Sequence, residues 1–196
     1  MIGPSTTSTG RGRGRALRVL ERIAIVLASL TISIGLIVVL SGYFTARDPA
    51  DVSGSADGPG RVFADLGNAQ LRPGQPRPAY DSDPPTSGAH FDEPVTGDEA
   101  QLNDDQLLQA LAVGDVVFMY AGRTPPPGLE TLARGIAGPF TPALASAGQA
   151  VILARRPGIV GVLGLAWTHT IYVSAPDDPA LAQFAQFWLG RGAPAR

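Results

Sequence analysis

The chain has 196 residues, 15 basic and 17 acidic side chains and no cysteine, which excludes disulfides, thiolate metal centres and cysteine nucleophiles. Every basic residue is an arginine. The formal net charge of -2 conceals an asymmetry: residues 1–22 hold five arginines against Glu21, and the rest holds 10 arginines against 16 acids. A basic end beside an apolar run points to membrane topology rather than to nucleic acid.

The first fifteen residues, "MIGPSTTSTGRGRGR", are low in complexity and predict no packed structure. Residues 1–22 read as a basic cytoplasmic tail. The apolar run from Ile23 to Phe44 follows, with no charge before Arg47. At 1.5 Å per residue its length is ~33 Å, against a hydrocarbon core of about 30 Å. Ser29, Thr31 and Ser33 are tolerable there, because short hydroxyls bond back to helix carbonyls. Tyr43 suits the interface, where its ring is apolar and its hydroxyl wet. A cleaved signal peptide would need a shorter run and a small-x-small site. Cuts after Gly42 or Ala46 fail that test, because Leu40 and Phe44 stand two residues earlier. The expectation is a single-pass anchor with its N-terminus in the cytoplasm and the remainder outside the cell membrane.

Residues 45–79 are rich in Pro and Gly and read as an extracytoplasmic tether, with "RVFADLGNAQL" a short strand or turn within it. From residue 80 to 196 the apolar pattern becomes regular and predicts one extracytoplasmic domain. "NDDQLLQALAVG" predicts a helix capped by Asn103, with Gln106 at capping-box spacing, Leu107, Leu108 and Leu111 inward, and Gly114 as its stop. "DVVFMY" predicts a central strand, apolar on both faces from Val116 to Tyr120. A second helix is predicted from near Pro127 to Gly135. "QAVILARR" predicts a second strand. "GVLGLAWTHTIYV" predicts a third, kinked at Gly164. The last helix is capped by Asp178, starts at Pro179, buries Leu181, Phe184, Ala185 and Trp188, and ends at Gly190. This order predicts an α/β class, with α+β possible: one N-terminal transmembrane helix, then a small few-stranded sheet covered by helices.

The loop "YDSDPPTSGAH", Tyr80 to His90, has the make-up of a ligand-holding loop. With it the chain resembles a bacterial membrane-anchored family, the domain of unknown function 3105. That family opens on a Tyr-x-x-x-Pro-Pro-Thr-Ser-Gly-x-His loop, matched here by Tyr80, Pro84, Pro85, Thr86, Ser87, Gly88 and His90. Its later features, an Ala-Trp pair and a final helix ending near Arg-x-x-Gly-Pro, fall on Ala166-Trp167 and on Phe187 through Arg191, Gly192 and Pro194. The family's helix carries His-Ser-Leu-Glu-His-Gly. Its His-x-x-Glu-His spacing implies a metal or acid-base site for the family. Here Gln109, Ala112 and Val113 replace the two histidines and the glutamate, while Leu111 and Gly114 remain. Alanine and valine have no lone pairs, and a glutamine amide is a poor ligand for zinc or copper.

The expectation is therefore no catalytic residue, no cofactor and no metal. His90, Asp83 and His169 are weak metal candidates, better read as hydrogen-bonded structural groups. Ser87 lacks the strand-turn-helix setting of a nucleophile. Trp167, Phe184, Phe187 and Trp188 suit a core or an interface. The functional expectation is a non-enzymatic scaffold or partner-binding domain, or a small subunit of a membrane complex, in contact with the lipid bilayer and another membrane or envelope protein. The alternative is a residual metal-binding or hydrolytic protein using His90 and nearby carboxylates.

Overall fold

The computed structural model of the chain describes residues 58–194. The basic tail, the apolar run 23–44 and the first part of the tether lie outside the described residues. Among the described residues no helix is long and apolar enough to cross a membrane.

The described residues form strands β1 (Arg61–Val62), β2 (Val116–Tyr120), β3 (Val151–Arg155), β4 (Val162–Ala166) and β5 (His169–Val173). Their helices are α1 (Asp104–Val113), α2 (Leu129–Ala137), α3 (Pro142–Ser146) and α4 (Pro179–Trp188). The sheet order is β1-β5-β4-β2-β3. Only β2 and β3 run parallel, with Val116 opposite Val151 and α2 and α3 in the crossover between them. β4 lies antiparallel to β2 and β5, and β1 antiparallel to β5. One parallel pair in an otherwise antiparallel sheet makes the domain α+β, the alternative the sequence left open, rather than the α/β class that the alternating elements put first.

The alternation along β2 sorts the core. Val117 and Met119 pack with Leu107, Leu108 and Leu111 of α1 and Ala145 of α3. Val116, Phe118 and Tyr120 point the other way, toward Leu129 and Ala133 of α2 and Leu181 and Phe184 of α4. All five β2 residues are buried, as a strand covered on both faces must be.

α1 forms as its ends dictate. Asn103 accepts from the Gln106 N–H at 2.8 Å, and Gln106 accepts from the Asn103 N–H at 3.2 Å. Gly114, in the left-handed region, ends the helix. Asp178 caps α4 through the Ala180 N–H at 2.9 Å.

Three boundaries differ from the sequence expectation. α2 runs past Gly135 to Ala137, because its apolar stripe continues to Ile136 and an exposed helical glycine costs only about 1 kcal/mol. The single strand predicted over 161–173 is a hairpin: Ala166 pairs with His169, and Trp167-Thr168 turn the chain. No Gly or Asn marks that turn. Thr168 itself takes the positive φ of 61°. α3 is an added element, capped by Thr141 with Pro142 at its first position.

The composition-based tether is part of the domain over its described length. β1 pairs with β5, Gln70 bridges His90, and the Leu71 N–H donates to the His90 carbonyl at 2.8 Å. Turn-rich composition describes this backbone well enough. Its partners lie across the fold, where local pattern cannot register them.

Candidate functional site

The opening loop is buried from Pro84 to Gly88 and again at His90. Ser87 Oγ donates to the Ala64 carbonyl at 2.9 Å and accepts from the Leu66 N–H at 3.0 Å, so its hydroxyl is committed to architecture. Tyr80 Oη donates to the Ala89 carbonyl at 2.8 Å. A Cβ on Gly88 would lie 2.8 Å from the Tyr80 ring, so the ring at 80 leaves no room for a side chain at 88. His90 Nδ1 faces the Gly88 carbonyl at 2.9 Å, which fixes that nitrogen as a donor. Nε2 lies 3.1 Å from the Gln109 amide oxygen position, which also meets Gln70.

The other motif positions interlock. The Ala112 carbonyl accepts from the Ala193 N–H and the Gly114 carbonyl from the Gly190 N–H, both at 2.9 Å. A Cβ on Gly192 would collide with the Ala112 carbonyl oxygen. Val113 is 37% exposed. The Thr168 N–H donates to the Thr86 carbonyl at 3.0 Å, and its own carbonyl accepts from the Phe63 N–H at 2.8 Å. Its Oγ1 donates to the Trp167 carbonyl at 2.6 Å. A β-branched residue at positive φ persists only when its surroundings over-determine it, and these three bonds do so.

The three weak metal candidates have separate partners. Asp83 pairs with Arg156, and His90 meets Gly88 and Gln109. His169 Nδ1 faces the Trp167 carbonyl at 3.0 Å, and its ring stacks on Trp188 with centroids 3.9 Å apart. Among the described residues no group of three or more His, Cys, Asp or Glu side chains is placed to hold a metal ion.

Two of the concave features carry buried polar atoms without partners among the described residues. The first is an open groove of about 480 Å³ at the hairpin turn, lined by Phe63, Trp167, His169, Phe187, Trp188 and Arg191 among others. Trp167 and His169 are 4% and 5% exposed, and Trp167 Nε1 and His169 Nε2 are buried with no hydrogen-bond partner among the described residues. Arg191 lies over the Phe187 ring at 4.1 Å. The second is a cavity of about 210 Å³ at the C-terminal end of α1, lined by Gln109, Val113, Asp92 and Asp115 among others. Asp115 is buried. Its Oδ1 accepts from the Ala150 N–H at 2.8 Å, while Oδ2 has no partner among the described residues. Burial pushes its carboxyl up to about 7, offset in part by the Ala150 N–H.

Sequence reasoning passed over Asp115, which it took only as the first residue of the strand stretch "DVVFMY". It also passed over Asp105, which is buried, accepts from the Phe91 N–H at 3.0 Å and pairs with Arg77. An acid in the first turn of a helix carries no local sign of burial.

The fold and these sites define a small mixed-sheet α+β domain. Residues 74–195 match the family model described as Protein of unknown function (DUF3105), and the chain belongs to that family. No curated protein and no solved structure matches the chain.

Proposed function

We propose that this chain is a non-enzymatic, membrane-anchored binding domain. Residues 23–44 hold it in the cell membrane with the N-terminus cytoplasmic, and residues 45–196 face outward. Its partner is another membrane or envelope protein. The observation that carries the reading is the groove at the hairpin turn, where half-buried Phe63, Phe187 and Trp188 and exposed Arg191 line an open surface. Such a surface offers a partner aromatic contact and a positive charge together, the composition of an interface centre. The inert residues at 109, 112 and 113 support the non-enzymatic part of the reading.

The test places a photo-crosslinking residue at Phe187 of the full chain in its native membranes. The expected result is one stoichiometric adduct, lost when Arg191→Glu is added. No adduct from intact or mildly solubilised membranes would overturn the reading. Protease protection of the N-terminal tail in sealed vesicles, with digestion of the C-terminal domain, is expected from the topology. If the membrane segment itself packs in a complex through Ser29, Ser33 and Gly35, replacing 23–44 by polyleucine abolishes the adduct.

A further inference from the structure

We propose that the cavity at the C-terminal end of α1 binds a small alkylammonium group, with Asp115 as its counter-charge. The inference stands apart from the groove and from any partner bound there. The cavity holds about 210 Å³, against ~30 Å³ for one water in the liquid, so a short alkyl chain fits with its charged end. Its walls are mostly apolar: Pro94, Val95, Ala110 and Val113 line it, with Asp115 among them and Asp92 a second carboxylate.

Asp115 is 1% exposed, and its Oδ2 is unpartnered among the described residues, where no arginine pairs with it. A buried carboxylate without a partner is costly. It either keeps its proton or takes a cation with a hydrogen to donate. An alkylammonium suits both halves of the lining, its methylenes on the apolar walls and its charged end toward the Asp115 carboxylate. A divalent metal is a poorer match, since calcium takes six to eight oxygens and magnesium six, and the lining offers few. The Gln109 amide, held by His90 and Gln70, gives the cavity a fixed polar wall rather than a free ligand.

The test is equilibrium dialysis of the full chain in non-ionic detergent against labelled n-butylamine, with protein-free micelles as the blank and labelled n-butanol as the uncharged control. The expected result is saturable uptake near one amine per chain, with no saturable uptake of butanol. Asp115→Asn keeps an oxygen for the Ala150 N–H and removes the charge, and should weaken uptake roughly tenfold or more, a change of about 1.4 kcal/mol. Val113→Phe keeps the carboxylate but crowds the cavity from an exposed position, and should weaken uptake as well. Circular dichroism checks the fold of both variants. No saturable uptake of the amine, equal uptake of butanol, or unchanged affinity in both variants would overturn the proposal.

Discussion

His90 Nε2 lies 3.1 Å from Gln109 Oε1, so the loop histidine and the first helix position of the family's His-x-x-Glu-His pattern are direct neighbours. Val113, one helical turn on, lines the same cavity as Gln109. The substitutions at 109 and 113 therefore empty one place of imidazoles rather than scattering losses over the surface. They leave a glutamine bonded to His90 and an apolar wall beside Asp115.

Introducing imidazoles at these positions should create metal affinity. Residues i and i+4 share a helix face, so Gln109→His with Val113→His places two ring nitrogens beside His90 and Asp115. The double variant, incubated with zinc and desalted, is expected to retain about one ion per chain by mass spectrometry, within the four-ligand habit of zinc. His90→Ala in that background should lower the retention. The parent chain is expected to retain none, and stoichiometric zinc in the parent that is lost in His90→Ala would revive the residual metal reading.

Asp115 also sets a pH dependence of stability. Its carboxyl ordinarily titrates at 3.8 and is raised by burial to about 7 in the folded chain. Between those values the folded state holds a proton that the unfolded state has lost. Stability therefore falls as pH rises through that window and levels off above about 7. At 1.36 kcal/mol per unit, the amplitude is roughly 4 kcal/mol. Asp98, raised mainly by burial, adds a slope of the same sign. Asp115→Asn should flatten the curve and be more stable than the parent at about pH 8, with the gap closing toward pH 4, as read from urea midpoints. An unchanged slope would show that Asp115 is ionised and partnered in solution.

Two glycines of like composition should behave oppositely. Gly135 lies on the exposed side of α2 with nothing within 4 Å of an added Cβ, so Gly135→Ala should stabilise by about 0.5–1 kcal/mol. Gly192 faces the Ala112 carbonyl and the Gly114 N–H, where a methyl group has no room. Gly192→Ala should cost about 1–3 kcal/mol as an overpacking change, and it should loosen the 190–193 segment first. Thermal melts distinguish the two, and a stabilising Gly192→Ala would show that the segment is free to move off α1.

These glycines also show how far the sequence could be read. α1 was legible because Asn103, Gln106 and Gly114 state its ends locally, and α4 because Asp178 and Pro179 do the same. The hairpin was not, because Trp167 and Thr168 carry no turn chemistry of their own. Their turn is held by Thr86 and Phe63, which lie far away in sequence. The opening loop was legible as a motif but not as a site, since its polar atoms are used by residues 64–71. Asp115 was invisible for the same reason: its unusual state comes from α3, β3 and α1 closing around it, and no neighbour in sequence reports that.

The last prediction concerns where the folded unit begins. Composition places the boundary at residue 80, yet the motif loop takes its backbone partners from earlier residues. Ser87 bonds to Ala64 and Leu66, the Gly88 N–H donates to the Gly67 carbonyl at 2.8 Å, and the His90 N–H donates to the Ala69 carbonyl at 3.1 Å. Trp188 Nε1 donates to the Pro59 carbonyl at 2.8 Å, tying the same stretch to α4. A fragment of residues 80–196 leaves these buried groups without partners, at about 1–3 kcal/mol for each group that water cannot reach. Summed over the loop, this rivals the whole stability of a small domain. The 80–196 fragment should therefore show no cooperative unfolding transition, while 58–196 should unfold as one unit at a midpoint close to that of 45–196. A cooperative 80–196 fragment with dispersed amide resonances would mean that the loop finds other partners, and that residues 58–79 are held by the domain without holding it together.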